Sequence, residues 1–452
     1  MTDPGLTDPV TVFTYPQPTA NGPLHVGHLS GPYVAADLAA RAARARGERV
    51  FVSTGLDIHQ NYVLTRAENE GTEVLPMMAA FRDEIQHTYR LAGIGYDNFT
   101  DPLQAEHSPR IEGMLRALVE SGATPMREVT LHACADCHRT LHDSYLTGLC
   151  GRCKAPAGGG ACEQCGSFTQ VATMVDPVCG RCGGEPRPFQ AVVPVLRMAD
   201  HRETMTEMWL RADLPPAVRT LIAHTLADGL PEVPLAYPTN WGIEGTGPLA
   251  GLRIGPFTEI ALTDLYSVAA AVDPAATTLP EFVSAAGRVD RLWHFLGLDN
   301  AFWYALYWPA LWAAAGVYPL PLSGLVVNEF YTLEGSKFST SRNHAVWANE
   351  ILGAEEPSIV RLFLAWDRPD RYQSDFTWPG FHAFRDRVAP LLSGDFEVTA
   401  PLDPALAAAE RARGEAALEP SGFDPALAAR CLLTLLEGGV RDVGTLRTLT
   451  GG

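Results

Sequence analysis

Residues 10–57 leave the chain little choice of architecture. "VTVFTY" (10–15) is a short β-branched and aromatic run, and the loop after it holds Pro16, Pro18, Asn21, Gly22 and Pro23. From Val26 to Arg46 the pattern turns helical through Leu29, Val34, Leu38 and the alanines between them, with Gly47 where a C-cap belongs. "RVFVSTGLD" (49–57) is a second strand ending in a polar turn. Strand, loop, helix, strand is a βαβ unit. Its crossover is almost always right-handed, and it commits the chain to a parallel sheet.

The same reading extends along the rest of the 452 residues. Residues 76–122 read as helices with loops, and a cysteine-rich stretch begins within "MREVTLHACADC" (126–137). Another helical region covers roughly 200–229, while "FTEIALTDLY" (257–266) fits strand or helix. "RLWHFLGLDNAFWYALYWPALWAAAG" (291–316) repeats strand, turn, helix; residues 322–347 give a strand, a hairpin-like turn and a polar loop. Residues 350–393 read as short helices around an extended "SDFTW" (374–378). From 395 the composition shifts to Pro, Ala and Glu, with two short helices expected at 403–418 and 424–436, too few residues for an independent core. "ALYWPALWAAAGVYPLPL" (305–322) is apolar, but its prolines fit a buried helix better than a membrane span. "MTDPGLTDPV" lacks the basic and apolar parts of a secretory signal, so a cytoplasmic location is expected. The formal charge of −18 argues against unspecific affinity for a polyanion, though a local basic patch is compatible with it.

Eight of the nine cysteines form four Cys-x-x-Cys pairs, Cys134/Cys137, Cys150/Cys153, Cys162/Cys165 and Cys179/Cys182; only Cys431 stands apart. In a cytosolic chain this reads as metal binding, with free thiols or a redox pair as the alternative. Eight thiolates suffice for two tetrahedral Cys₄ zinc sites with no open position, hence structural ones. They would fold a segment, "KAPAGGGACEQCG" (154–166), that has too little apolar surface to fold by burial. Spacing alone permits consecutive or nested pairing.

"HVGH" (25–28) follows the first strand and opens the helix. A helix start offers unpaired N–H groups and a positive dipole end, and so attracts phosphate. His25 and His28 would add imidazole donors on one side of that turn, and Gly27 would let a nucleotide lie against the backbone. Such a site can stabilise charge developing on a cleaved phosphoanhydride. An isolated HxGH reads as a surface turn with two solvated histidines. Here a second lysine-bearing polar loop, "GSKFSTSR" (335–342), lies near the far end of the same core.

Taken together, "PTANGPLHVGH" (18–28), "GLDIH" (55–59), "WGI" (241–243), "HFLGLDNAFWYALYWPALWAAAG" (294–316) and "EGSKFSTSRN" (334–343) resemble the class I aminoacyl-tRNA synthetases, and within them the methionyl branch. "HVGH" and "KFSTS" (337–341) stand for that family's HIGH and KMSKS motifs, and the cysteine pairs and "SDFTW" occur in its order. The resemblance covers about residues 10–390. It implies an α/β fold, a class I synthetase Rossmann-like (HUP) parallel sheet with a zinc-binding connective insert and a short helical C-terminal region. The implied domains are a first catalytic half at 1–122, an insert with two zinc knuckles at 123–235 and a second catalytic half at 236–343. A stem-contact-like helical region at 344–394 and a short helical tail at 395–452, remnant of an anticodon-binding domain, complete the list.

The resemblance further implies a ligase that forms aminoacyl-adenylate from ATP with Mg2+, with two zinc ions. Carried over by position, His25, His28 and Lys337 would act on the phosphates; Gly27, Gly297, Asp299, Val326, Val327, Ser339 and Arg342 would hold ATP. Gly297 and Asp299 would take the ribose, Val326 and Val327 would pass beside the adenine, and Asp57 would take the amino acid's ammonium. Read alone, Asp57 is a turn former and Asp299 a helix N-cap. The resemblance also implies nested cysteines, the inner pairs on one ion and the outer pairs on the other.

Three departures stand out. Thr340 replaces the family's second loop lysine, which predicts slower activation at a working site. In the amino-acid pocket Gln17 and Thr19 replace an apolar residue and a tyrosine, Ala261 stands for the pocket tryptophan, and Tyr304 for a histidine, with Asn300 and Trp303 beside it. A thioether prefers an apolar slot, and each unpaired polar group against it costs about 1–3 kcal/mol, so a small or polar amino acid is expected instead of methionine. The roughly sixty residues after "SDFTW" and its helix show no basic stripe for a phosphate backbone.

The sequence therefore favours activation of an amino acid and its transfer to a small amine, hydroxylamine or hydroxyl acceptor. This resembles the methionyl-tRNA-synthetase-like domains fused to cupins in hydrazine-forming natural-product enzymes, and here a cupin-type partner would be a separate protein. A tRNA ligase with a shortened C-terminus is the alternative, with tRNA as partner. A non-catalytic descendant that binds a nucleotide or a protein is a third reading, supported only by Thr340.

Overall fold

The computed structural model describes residues 9–338, 344–370 and 372–451. Its centre is a five-stranded sheet of β1 (Val10–Thr14), β2 (Arg49–Gly55), β3 (Asn98–Thr100), β4 (Arg291–Gly297) and β5 (Leu322–Asn328), in the order β5-β4-β1-β2-β3. Every pairing in it is parallel, as the βαβ pattern requires. All five residues of β1 are buried, because a parallel sheet carries helices on both faces. Strand order reverses between β1 and β4, and the crevice beyond their carboxyl ends is where an open α/β sheet binds ligands.

The helix expected from Val26 to Arg46 is broken. A single turn at Val26–His28 passes into a wide turn at Leu29–Tyr33, and the regular helix α1 (Val34–Ala45) starts only afterwards. Pro32 is the cause: it lacks an N–H and drives the residue before it out of the helical region, and Gly31 sits at ψ −109°. Gly31 also lets the chain pass Asn328 closely, since a Cβ there would lie 2.9 Å from Asn328 Nδ2. Gly47 ends the helix as expected, with φ at +82°.

The ambiguous "FTEIALTDLY" is helical, within α2 (Pro256–Ala269). Twelve of its fourteen residues are buried, so no amphipathic period could announce it. Between the two halves of the sheet, strands Met126–Cys134 and Pro186–Arg197 form a long antiparallel ribbon that carries the cysteine-rich knuckles. The hairpin-like turn is real: Tyr331–Leu333 pairs with Ser336–Lys337 across Glu334 and Gly335, both at positive φ, as a two-residue hairpin turn demands. Tyr331–Leu333 also pairs with Ser374–Phe376 of "SDFTW", so the region after the lysine loop holds that loop's root.

The tail helices Pro404–Ala416 and Pro425–Glu437 match the expected pair, and Val443–Thr450 adds a third. Leu432, Leu433, Leu436 and Leu449 join the main core instead of forming their own. Among the described residues no helix is long and apolar enough to cross a membrane, and Trp308–Ala315 is a buried helix.

Gly55, at the end of β2, is packed so that a Cβ would lie 2.5 Å from the Thr100 carbonyl oxygen. Gly55→Ala is therefore expected to destabilise the protein by about 1–3 kcal/mol through overpacking. A lowered midpoint in chemical denaturation would show it; an unchanged midpoint would refute the tight approach.

Candidate active site

At the end of β1 the imidazoles of His25 and His28 stack at 3.7 Å between centroids, and Phe338 covers the other face of His25 at 4.7 Å. Phe338 follows Lys337, so the root of the lysine loop sits against the "HVGH" turn. Gly27 permits this, because a Cβ would come within 3.0 Å of the His25 ring. The backbone N–H of His25 donates to His28 Nδ1 at 3.1 Å, which leaves the His28 proton on Nε2 as a donor. Desolvation pushes the His28 imidazole down to about 4, so at neutral pH it offers a hydrogen bond without a charge. The turn spends the Val26 N–H on Val346 and the His28 N–H on the His25 carbonyl. Less of any anion binding then falls to free amides than an open helix start would provide.

These imidazoles share a cavity of about 210 Å³ with Gly297, Asp299, Asn300 and residues 328–331. Gly297 is needed beside Asp299, whose Oδ1 would lie 2.5 Å from a Cβ there. Val326 and Val327 are not in this cavity. They line a separate one with Leu214, Arg368 and Phe423, because β5 ends at Asn328 and only Asn328 and the residues after it line the crevice. Of Lys337 the backbone is described, in the hairpin strand; Ser339, Thr340 and Arg342 lie outside the described residues.

A second cavity of about 320 Å³ adjoins the first through His28, Tyr33, Asp299 and Asn300. Gln17, Thr19, Asp57, Trp303 and Tyr304 line it, together with Gln60, Tyr62, Phe257, Ile260 and Trp308. Asp57 is buried and accepts the Thr19 hydroxyl on Oδ2 at 3.0 Å, while its Oδ1 has no partner. Burial pushes its carboxyl up to about 7, and Glu259 adds to the rise. Ala261 is turned away from this cavity. Phe257 and Ile260 share one face of α2 and supply its wall, whereas the Ala261 carbonyl accepts from Trp312 Nε1 at 2.9 Å. Ala261, which the resemblance put in the place of the pocket tryptophan, is thus one residue out of helical phase with that wall.

Two buried arrangements escaped the sequence reading. Glu259 accepts from His59 Nδ1 at 2.7 Å and His107 Nε2 at 2.8 Å, and this pairing holds its carboxyl below the ordinary range despite burial. Asp264, also on α2, accepts from Gln17 Nε2 at 2.9 Å and Trp308 Nε1 at 2.7 Å; burial pushes its carboxyl up to about 7. "GLDIH" brought His59 to notice, but no local pattern joins it to a glutamate 200 residues away.

The cysteines cluster as two sets, Cys134, Cys137, Cys179 and Cys182, and Cys150, Cys153, Cys162 and Cys165, each with all sulfurs within 4.8 Å of one another. The nested arrangement is the one found. Cys137 and Cys179 sulfurs are 3.7 Å apart, and Cys150 and Cys165 sulfurs 3.8 Å. A tetrahedral ion about 2.3 Å from each sulfur needs such edges, so both sets fit zinc.

A third cavity, of about 280 Å³, lies between the cysteine-rich insert, its ribbon and the start of α2, and is lined by His142, Asp143, Tyr237, Phe168 and Tyr307 among others. It meets the second cavity at Gly159, Phe257 and Trp303, where the Phe257 and Trp303 rings stack at 3.5 Å.

The family model described as "tRNA synthetases class I (M)" matches residues 11–388. The chain is 32% identical over 376 residues to a methionine--tRNA ligase of Thermomicrobium roseum, across 80% of this chain and 63% of that protein. A methionine--tRNA ligase of Methanopyrus kandleri is 28% identical over 382 residues, across 81% of this chain and 55% of that protein. The chain thus spans somewhat over half the length of these curated relatives. Its fold superposes on Mycobacterium tuberculosis methionyl-tRNA synthetase bound by methionyl-adenylate with a TM-score of 0.70 at 17% identity, covering 98% of this chain and 88% of the other.

Proposed function

Because the chain belongs to the class I tRNA synthetases of the methionyl type, we propose that it activates an amino acid other than methionine with ATP and hands the acyl group to a small amine, hydroxylamine or hydroxyl acceptor. In the first step a carboxylate oxygen bonds to the α-phosphorus, the bond from that phosphorus to the bridging oxygen breaks, and pyrophosphate leaves. In the second the acceptor's nitrogen or oxygen attacks the acyl carbon, AMP leaves, and the acceptor's proton passes to solvent. His25, His28 and Lys337 would stabilise the phosphate charge of the first step, Ser339 and Arg342 assisting. Gly27, Gly297 and Asp299 would hold the nucleoside, and Asp57 the α-ammonium. Bound Mg2+ would neutralise the triphosphate.

The observation that carries this reading is the polarity of the second cavity. Gln17 and Thr19 stand at its wall, and buried acceptor atoms on Gln17, Asp57 and Gln60 have no donor. A thioether would leave the Gln17 and Gln60 oxygens unpaired, at about 1–3 kcal/mol each. The third cavity supports a small acceptor, since it abuts the second across the Phe257–Trp303 stack. Two arginines of the tail face carboxylates within the chain, Arg411 beside Asp442 and Arg413 beside Glu410. A separate cupin-type enzyme would be one consumer of the product.

A second reading, methionine–tRNA ligation, is favoured by the relatives' own names. Amino-acid-dependent ATP–pyrophosphate exchange separates the two. Exchange is expected with a non-methionine substrate and at least about tenfold less with methionine, the preference that one lost hydrogen bond of ~1.4 kcal/mol brings. Robust charging of total tRNA with methionine would establish the second reading and end the first.

A further inference from the structure

The second cavity carries more information than its polarity. Gln17 is 8% exposed, and its amide is oriented by a carboxylate that has two N–H donors, Gln17 Nε2 at 2.9 Å and Trp308 Nε1 at 2.7 Å, both on Asp264. Asp264 takes one N–H of the Gln17 NH₂ and so fixes which end of the amide is which; the carbonyl oxygen of this cavity-lining side chain is buried without a hydrogen bond. Gln60 is also buried, at 4% exposed, lines the same cavity and has an unpartnered Oε1. Two neutral acceptors are therefore buried and waiting for donors.

The residues that line this cavity include no Lys or Arg among those described, but they do include Asp57, Glu163 and Asp299. An acidic side chain would meet like charge and no compensating cation. With Asp57 assigned to the α-ammonium and Asp299 to the ribose, a cationic side chain placed at Gln17 and Gln60 would leave water for neutral amide oxygens, a poor exchange for a full charge. Trp303, Tyr304 and Trp308, each nearly fully buried, limit the reach.

Resting on the activation reading above, we infer that the activated amino acid has a short, uncharged side chain ending in a hydrogen-bond donor, a hydroxyl or carboxamide, received by the Gln17 carbonyl, with Gln60 as the second acceptor. Gln17 is the specificity-determining residue. Asp264 is a positioning residue that acts through it, and exchanging donor and acceptor ends of the Gln17 amide would place an NH₂ group where the substrate needs an acceptor.

The test compares matched amino acids in ATP–pyrophosphate exchange: serine with alanine, threonine with valine, asparagine and glutamine with leucine and methionine. The best substrate is expected among the donors, with kcat/KM at least about tenfold above its apolar counterpart. Gln17→Met, similar in size but without an acceptor, should bring that ratio below about threefold, and Asp264→Asn should raise KM for the donor substrate while kcat stays within about twofold. Calorimetric binding of the same amino acids to the full chain reads selectivity without turnover. Donor-selective binding without any exchange would end the activation reading and leave this assignment standing. Exchange led by an apolar or charged amino acid would end this assignment and leave activation standing. An unchanged ratio in folded Gln17→Met would also overturn it, and if that variant does not fold, the wild-type panel decides.

Discussion

Replacing Asp57 by Asn is expected to lower kcat/KM for the amino acid in ATP–pyrophosphate exchange by roughly thirty- to several-thousandfold, the range that truncating one member of a buried charge pair produces. Asp57 is 4% exposed, and the Thr19 hydroxyl occupies one oxygen, leaving Oδ1 for an incoming ammonium. Asn would keep the shape and lose the charge. The carboxyl also sets a pH dependence. Burial and then Glu259 raise it to about 7, against the lowering pulls of Thr19, His59 and the Gln60 backbone. Below that value the free enzyme carries mostly the neutral acid, so kcat/KM is expected to rise with pH and level off above about 7. An ammonium in the complex favours the carboxylate, so the inflection in kcat should lie lower. In Asp57→Asn this inflection should vanish.

Stability runs the opposite way. A carboxyl whose value is raised on folding binds its proton more tightly in the native state, so its contribution to stability is fully present at low pH and is lost as pH climbs towards about 7. Asp57→Asn is therefore expected to melt higher than the parent at pH 8, with the difference shrinking below pH about 4. A variant both inactive and less stable at pH 8 would mean that Asp57 holds the fold and not the substrate.

The legible parts of this molecule are local. β1, the turn of Pro and Gly residues, Gly47 and β2 all announce themselves within a few neighbours, and the parallel sheet follows from their order. Pro32 was equally visible, and it breaks the helix where its missing N–H says it must. α2 was undecidable because burial on every side erases its period. The second cavity was half legible: Thr19, Asp57 and Asn300 lie in recognisable motifs and Gln17 just before one, whereas Asp264, which orients Gln17, lies 247 residues away from it. No pattern in one sequence pairs such positions. Ala261 and the two valines lie outside the linings of the two adjoining cavities for a finer reason, since a residue or two of helical phase or strand end decides which side chain faces a crevice.

Zinc in the cysteine knuckles would tie the second cavity to metal. Their own buried cluster consists of Leu141, Tyr145, Leu146, Ala157, Met174 and four cysteines, far too little apolar surface to offset the ordering of about fifty residues. Structural zinc contributes on the order of 10–16 kcal/mol to such small domains. Zinc analysis is accordingly expected to find two ions per chain, and a strong chelator to expose residues 146–178 to proteolysis. Loss of activity should follow by a specific route. Gly158, Gly159, Ala161 and Glu163 line the second cavity, and they lie between Cys153 and Cys162 or directly after Cys162, inside the inner knuckle. Cys162→Ser should thus lose one ion and raise the amino acid's KM by about tenfold or more, the scale on which disturbed metal-site surroundings act. Cys182→Ser, in the outer knuckle at the ribbon's end, should lose one ion with a smaller change in KM. Equal effects of the two substitutions would mean that the insert folds as one unit, and that its inner knuckle has no separate hold on the cavity wall.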